Sequence, residues 1–440
     1  MYKGLCWNSP QPEKQYRDAR KTWPNARMEE RVMSVTPAEN TATVSANIAL
    51  RKKTDTNRRL SKFLALEDFE GAARRRLPRM LYGFVAGGAE TNSALQSNAE
   101  SFADYCLIPR VLRNVSMRAH KKTIFGRAYS APFGIAPMGT SSLFAYLCDI
   151  ALARSASQSD IPMIVSASSL IPMEEIRQAG LTSWYQAYLP GETGRIDSLV
   201  ERVAAAGFDT FVLTADVPVS ANRENNIRNG FSVPIEPTFR LFWEGLTHPS
   251  WLLGTWARTI INHGMPHFEN MDAKRGPPIL SRQLERAVGN RDQLSWEHVK
   301  RIRKAWKGNL VIKGILSAAD AVIAKDCGAD GIIVSNHGGR QLDSATAPLR
   351  VLPQIVEAAG SLTVMLDGGI RRGTDVLKAL ALGADFVFVG RPFLFAAAVG
   401  GERGVHSAID ILSTELSRDM ALMGLTQLSD ISPDFVARIR

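Results

Sequence analysis

Residues 363–391 read TVMLDGGIRRGTDVLKALALGADFVFVGR. An apolar run of strand length, Thr363–Gly369, passes through a double glycine into a stretch whose apolar residues recur at helical spacing. Thr374 is placed to cap that helix, and Gly383 to stop it in the left-handed conformation before the chain re-enters an apolar run at Phe386–Arg391. Neither run alternates apolar with polar, which is the pattern of strands covered on both faces. Two such strands joined by a helix form a parallel βαβ unit.

Outward from this segment the unit repeats. Strands are expected at Phe133–Met138, Met163–Ser168, Trp184–Leu189, Thr210–Asp216, Leu310–Leu316 and Gly331–Asn336, giving eight with the two above. Gly180, Gly207 and Gly328 stand like Gly383, just after a helical stretch and before a strand, and Ser317 with Asp320 resembles a capping box. Eight alternations favour an α/β fold of the closed (β/α)8 TIM-barrel type, with an open doubly wound sheet as the alternative. One connection breaks the rhythm: about ninety residues separate Asp216 from Leu310. The expected domain therefore spans 61–440, with a long insertion after strand 4 at about 225–295. Residues 1–60, polar and interrupted by Pro10, Pro12, Pro24 and Pro37, are expected to form a disordered extension.

Charge and thiols narrow the function. The net charge is +10, but residues 1–60 hold twelve Lys/Arg against six Asp/Glu, so most of the excess sits in the extension. No basic stripe interleaved with aromatics follows, and nucleic acid is not an expected partner. Cys6, Cys106, Cys148 and Cys327 are scattered without CxxC spacing, which predicts reduced thiols, no metal site and a cytoplasmic setting. No apolar run is long enough to span a bilayer, and an apolar secretory leader is not seen at the N-terminus.

A barrel places its chemistry at the C-terminal ends of its strands. Here those ends read Pro137-Met138-Gly139, Ser166, Gln186 with Tyr188, Thr214 with Asp216, Lys313, Ser335 with His337, Asp367-Gly368-Gly369 and Gly390-Arg391. Polar groups at the ends of apolar runs need partners if they are buried. The ends of strands seven and eight, with Arg371 and Arg391, suit an anion such as phosphate. His337, between a buried strand and two glycines, can present an imidazole to a ligand, and Arg340 can hold a carboxylate with two parallel bonds. Arg223, seven residues past Asp216, offers a second clamp.

The stretches LPRMLYGFVAGGAET (77–91), APFGIAPMG (131–139), WYQAYL (184–189), LTADVPVSANRE (213–224), VIKGIL (311–316), SNHGGRQLD (335–343) and DGGIRRGTD (367–375) resemble the FMN-dependent 2-hydroxy-acid dehydrogenase/oxidase family, in the family's order over residues 66–440. The resemblance implies FMN as cofactor and oxidation of a small L-2-hydroxy acid, lactate-like or bulkier and mandelate-like, to the 2-keto acid. Electrons would pass to quinone, cytochrome or oxygen. It implies His337 as base with Asp216 orienting it, and Arg223, Arg340 and Tyr188 on the substrate. Lys313 would lie beside the flavin pyrimidine edge. Ser166, Gln186, Thr214 and Ser335 would contact the flavin, and Pro137, Met138 and Gly139 would approach it by backbone. Asp367 would hold the ribityl chain, with Gly368, Gly369, Arg371, Gly390 and Arg391 around the phosphate. A homotetramer follows from the resemblance alone. Competing readings are an FMN barrel of another reaction type and a catalytically idle barrel acting in assembly.

Two positions depart from the family's pattern. Phe84 stands where the family usually carries a substrate-binding tyrosine, and Ser168 where glycolate oxidase has tryptophan. Together the two changes suggest a substrate bulkier or less polar than glycolate, with a packing adjustment as the other reading. The insertion holds Phe239, Phe242, Trp243, Trp251, Leu252, Leu253, Trp256, Ile260 and Ile261, and its FRLFWEGLTHPSWLL (239–253) resembles the matching part of respiratory L-lactate dehydrogenases. Peripheral contact with the inner face of the cytoplasmic membrane is one expectation for this segment, and packing on the barrel mouth or at an oligomer contact the other.

Overall fold

The computed structural model describes residues 59–189, 191–232, 238–281 and 291–439. Nearly all of the expected N-terminal extension lies outside the described residues. Leu60, at its end, is already buried and lies beside Gly400.

Eight strands close a parallel barrel: β1 (Phe133–Ile135), β2 (Met163–Ser166), β3 (Ser183–Ala187), β4 (Thr210–Thr214), β5 (Asn309–Ile315), β6 (Gly331–Val334), β7 (Thr363–Asp367) and β8 (Phe386–Val389). Each pairs with its sequence neighbours. β8 returns to β1 through Val387↔Phe133, so no edge is left open. The closed barrel is thus the observed topology, and the open sheet is set aside.

Strand side chains alternate between two apolar compartments, which is why the runs read as continuous. Ile164, Trp184, Val212, Val311, Ile333, Met365, Phe386 and Phe388 fill the interior. Val165, Tyr185, Phe211, Leu213, Ile312, Ile332, Leu366 and Val387 face the helices. Burying each such side chain contributes roughly 1.5–3 kcal/mol. A hairpin just ahead of β1, Lys122–Ile124 paired with Arg127–Tyr129, floors the barrel, and Trp184 Nε1 donates to Tyr129 Oη at 3.3 Å.

The helices α1 (Cys148–Gln158), α2 (Met173–Ala179), α3 (Thr193–Ala205), α4 (Trp296–Ala305), α5 (Ala318–Asp326), α6 (Pro348–Ala359), α7 (Gly373–Ala381) and α8 (Arg391–Met423, broken at Gly401) surround the strands.

Several local expectations change. Every strand ends one to three residues before its expected C-terminus, because the final residues leave the ladder to face the barrel mouth. Gly207, Gly328 and Gly383 are left-handed as expected, but Gly180 has φ −146°. Its reason is close packing, since a Cβ there would lie 2.5 Å from the Ala153 carbonyl oxygen. Ser317 is the N-cap residue of α5 without a side-chain cap bond. Thr374 lies inside α7, and the Asp375 carboxylate takes its place by accepting the N–H groups of Arg371 and Arg372 at 2.9 and 3.0 Å.

The insertion between β4 and α4 carries the helices Phe239–Thr247 and Arg258–His263 with a wide turn at Leu252–Ala257. Trp251 is buried and donates through Nε1 to the Leu143 carbonyl at 2.8 Å, pinning the segment to the loop after β1. Leu252 and Trp256 pack against the core beside it. Phe239, Phe242, Trp243, Leu246, Leu253 and Ile261 are exposed. No helix among the described residues is long and apolar enough to cross a membrane.

Candidate active site

The loops at the C-terminal ends of the strands enclose a cavity of about 610 Å³, lined by Phe84, Pro137–Gly139, Tyr188, Thr214, Arg223, Lys313, His337, Arg340, Asp367–Arg371 and Gly390–Arg391. Sequence reading named all of these except Ile370.

His337 sits just past β6 in the left-handed region, φ 59°, steadied by its backbone N–H on Ser335 Oγ at 3.0 Å. Its Nδ1 lies 2.9 Å from Asp216 Oδ1 and its Nε2 3.3 Å from Tyr188 Oη. A carboxylate facing Nδ1 requires the proton there, which leaves the Nε2 lone pair toward the cavity. Burial pushes the imidazole below its ordinary pKa, against the pull of Asp216. Burial also opposes ionisation of Asp216, but His337 and Lys313 together hold its carboxyl below the usual range. The resting pair is therefore neutral histidine and carboxylate, the state a general base requires.

Asp216 reaches His337 because β5 bulges between Lys313 and Ile315. Gly314 there has φ 104°, and a Cβ would fall 2.6 Å from that of Asp216. Only glycine allows the approach. On the same strand Lys313 is buried, with Nζ 2.8 Å from Ser335 Oγ and 3.1 Å from Asp367 Oδ2. Burial works against its charge, but Asp367 and Asp216 outweigh it and raise the pKa.

The arginines are held by carbonyl oxygens. Arg340 donates to the carbonyls of Phe84 and Gly87 at 2.6 and 2.8 Å, with its guanidinium 4.8 Å over the Phe84 ring. Arg223 donates to the Arg340 carbonyl at 3.1 Å and to Gln341 Oε1 at 2.7 Å. Arg391 donates to the carbonyls of Val85 and Gly338, and burial, with Arg371 nearby, pushes its pKa down to about 10. Burial likewise lowers Arg340, with Arg223 and Arg391 adding to it. Among the described residues no carboxylate forms an ion pair with Arg223, Arg340, Arg371 or Arg391. Such a cluster is built for anions.

The cavity also fits a flavin mononucleotide. Gln186 Nε2, Thr214 Oγ1 and Asp367 Oδ1 are buried without hydrogen-bond partners, an expensive arrangement unless a polar ligand meets them. Gly368 and Gly369 turn left-handed beside Arg371, and Gly390 caps α8, so backbone and cations converge on one end, as a phosphate requires. Four residues named from the sequence, Ser166, Gln186, Ser335 and Asp216, stand one layer back from the wall. Ser166 Oγ donates to Gln186 Oε1 at 3.2 Å, and Ser335 props Lys313 and His337.

Sequence reading missed Arg291, Phe231, Phe268 and Met271, which line the mouth. Arg291 comes from the insertion, outside any motif, and its guanidinium stacks 4.8 Å over the Tyr188 ring. Phe231 meets the Phe84 ring at 4.2 Å.

Residues 73–438 match the family described as FMN-dependent dehydrogenase. The L-lactate dehydrogenase of Stenotrophomonas maltophilia (strain R551-3) is 38% identical over 383 residues, covering 85% of this chain and 99% of that protein. That of Pectobacterium atrosepticum is 37% identical over 383 residues, covering 85% and 97%. Among solved structures, a monotopic membrane protein, (S)-mandelate dehydrogenase, aligns with TM-score 0.78 and 34% identity over 86% of this chain and 100% of its own. A mandelate oxidase aligns with TM-score 0.70 and 34% identity over 84% and 97%.

Proposed function

The chain belongs to the FMN-dependent dehydrogenase family, and we propose that it oxidises L-2-hydroxy acids to 2-keto acids with His337 as the base. The observation that carries this reading is the Asp216–His337–Tyr188 relay beside two arginines that pair with no carboxylate among the described residues.

Bound FMN supplies the acceptor for the two electrons that leave the substrate. The chain does the rest. Arg223 and Arg340 hold the substrate carboxylate through N–H groups not engaged with backbone. Their own carbonyl anchors fix the guanidinium planes before substrate arrives, which limits the entropy lost on binding. Tyr188 Oη and His337 Nε2 converge on the substrate hydroxyl and its carbon. His337 Nε2 takes one proton as C2 is oxidised, and Asp216 stabilises the imidazolium that results. Gln186, Thr214, Asp367 and Lys313 would hold FMN by its polar edges, with Arg371 and Arg391 on its phosphate. Lys313 would provide a fixed positive charge for the flavin as it takes up electrons.

The insertion suggests where the electrons go. Its exposed Phe239, Phe242, Trp243, Leu246, Leu253 and Ile261 form an apolar outer face on a segment whose Trp251 is anchored in the barrel. This face dips into the inner leaflet of the cytoplasmic membrane and places the site near a lipid-soluble quinone. The protein assembles as a homotetramer, which sedimentation would test.

Anaerobic titration with L-lactate and L-mandelate should bleach the flavin. An absence of bleaching by any 2-hydroxy acid, with FMN bound, would refute the function.

A further inference from the structure

We propose that Arg291 is a specificity-determining residue and that the preferred substrate is a 2-hydroxy acid bearing a second anionic group on its side chain. This rests on the hydroxy-acid reading above and sharpens it.

The first support is position. Arg291 lines the same cavity as His337, Arg223 and Arg340. Its guanidinium lies 4.8 Å from the centre of the Tyr188 ring, and the hydroxyl of that ring is 3.3 Å from His337 Nε2. The cation is thus one aromatic ring away from the reacting carbon, a distance that a side chain of two or three carbons spans. The same cavity has small and flexible lining residues. Ser168 and Ser220 are small, and Phe268 and Met271 come from the same insertion as Arg291.

The second support is charge. Five arginines and Lys313 line the cavity against one carboxylate, Asp367, with Asp216 behind His337 and Glu70 acting on Arg371 and Arg391 from outside the wall. The phosphate of FMN brings close to two negative charges and a simple 2-hydroxy acid one. Four of the five arginines then have a place beside these two anions, and one does not. Arg291 is that cation: Arg223 and Arg340 flank the base, and Arg371 and Arg391 stand at the phosphate end. No carboxylate among the described residues pairs with Arg291, and burial works against its charge. A ring face alone compensates a desolvated guanidinium weakly, whereas a carboxylate on the substrate would complete it.

The test compares L-2-hydroxyglutarate with L-2-hydroxy-5-methylhexanoate, which share a carbon skeleton but end in a carboxylate and an isopropyl group. With the full-length, FMN-loaded protein, kcat/KM for anaerobic flavin bleaching should favour the diacid by about ten- to a hundredfold. Arg291→Met should erase that ratio, and Arg291→Lys should keep part of it. Flavin absorbance confirms that each variant is folded and loaded. Calorimetry with the two matching 2-keto acids should show the same preference in binding, free of turnover. A wild-type preference for the isopropyl acid would overturn the inference, as would an Arg291→Met variant that lowers both acids equally, since the guanidinium would then serve the shared carboxylate. Bleaching by L-lactate but not by the diacid sinks this inference alone. Bleaching by no hydroxy acid sinks the parent reading with it.

Discussion

The rim of the barrel and the outer face of the insertion break the usual rule of burial in opposite directions. At the rim, charge is buried: Lys313 and Asp367 are less than a tenth exposed, and Arg340 and Arg391 pair with no acid among the described residues. On the insertion, apolar bulk is left outside, with Phe239 and Ile261 about four-fifths exposed. Each arrangement costs stability in the protein alone, by roughly 1–3 kcal/mol per unsatisfied buried polar group. Each makes sense with an occupant of the opposite character, an anionic cofactor and substrate in one case and an apolar phase in the other. The barrel, apolar in its interior and on its helix-facing side, is the frame that carries both.

The hardest blow to the rim is removal of its base. His337→Gln should lower the rate of flavin reduction by about a thousandfold or more while FMN stays bound. A variant that reduces flavin at the wild-type rate would mean that the buried charge serves binding alone. Asp216→Asn should act next most strongly, by roughly a hundredfold, and it carries a signature in pH. Burial already places the His337 pKa below its ordinary value, so the neutral base persists into mildly acid solution and kcat/KM should fall only below about pH 6.5. Asp216 pulls that pKa upward. Its removal should therefore shift the acid limb to lower pH while dropping the plateau. A limb that moves to higher pH would contradict the assigned roles.

Gly314→Ala probes the same pair through the backbone. The added methyl meets Asp216, and residue 314 would be strained at φ 104°. A loss of about 1–3 kcal/mol in thermal stability is expected, together with reduced activity. If activity falls with stability unchanged, the bulge matters for aiming Asp216 and not for holding β5.

The two regions were also unequally legible in the sequence. The barrel could be read because buried strands leave continuous apolar runs, and the rim because its polar residues interrupt those runs at their ends. What periodicity could not supply was the point at which the ladder stops, so every strand was carried too far at its C-terminal end. Gly180 does end its helix, but in an extended and not a left-handed conformation, and close packing on Ala153 is what selects glycine there. Thr374 looked like a cap, but Asp375, one residue later, has the longer reach. Phe84 was read as a missing hydroxyl. The structure shows its carbonyl and ring supporting Arg340, a role that a motif does not display. Arg291 left no signal at all: it lies in the aperiodic insertion, and only folding brings it over Tyr188.

For the insertion, the corresponding test is Phe242→Ser with Trp243→Ser. The double variant should bind anionic lipid vesicles about ten- to a hundredfold more weakly, as expected for two half-inserted aromatics. Turnover with a soluble dye acceptor should be retained. Unchanged vesicle binding would assign the exposed face to a protein partner instead.

The smallest effect expected separates the two readings of Phe84. Phe84→Tyr adds a hydroxyl in a wall where the ring already lies under Arg340 and against Phe231. If the position simply lacks a hydrogen bond, L-lactate should bind roughly three- to tenfold more tightly, the net value of one such bond. The ring stack argues that the gain will be partial, because the hydroxyl must leave water to enter an aromatic cluster. A variant that binds L-lactate more weakly, with FMN retained, would show that phenylalanine at this position is tuned to the arginine platform.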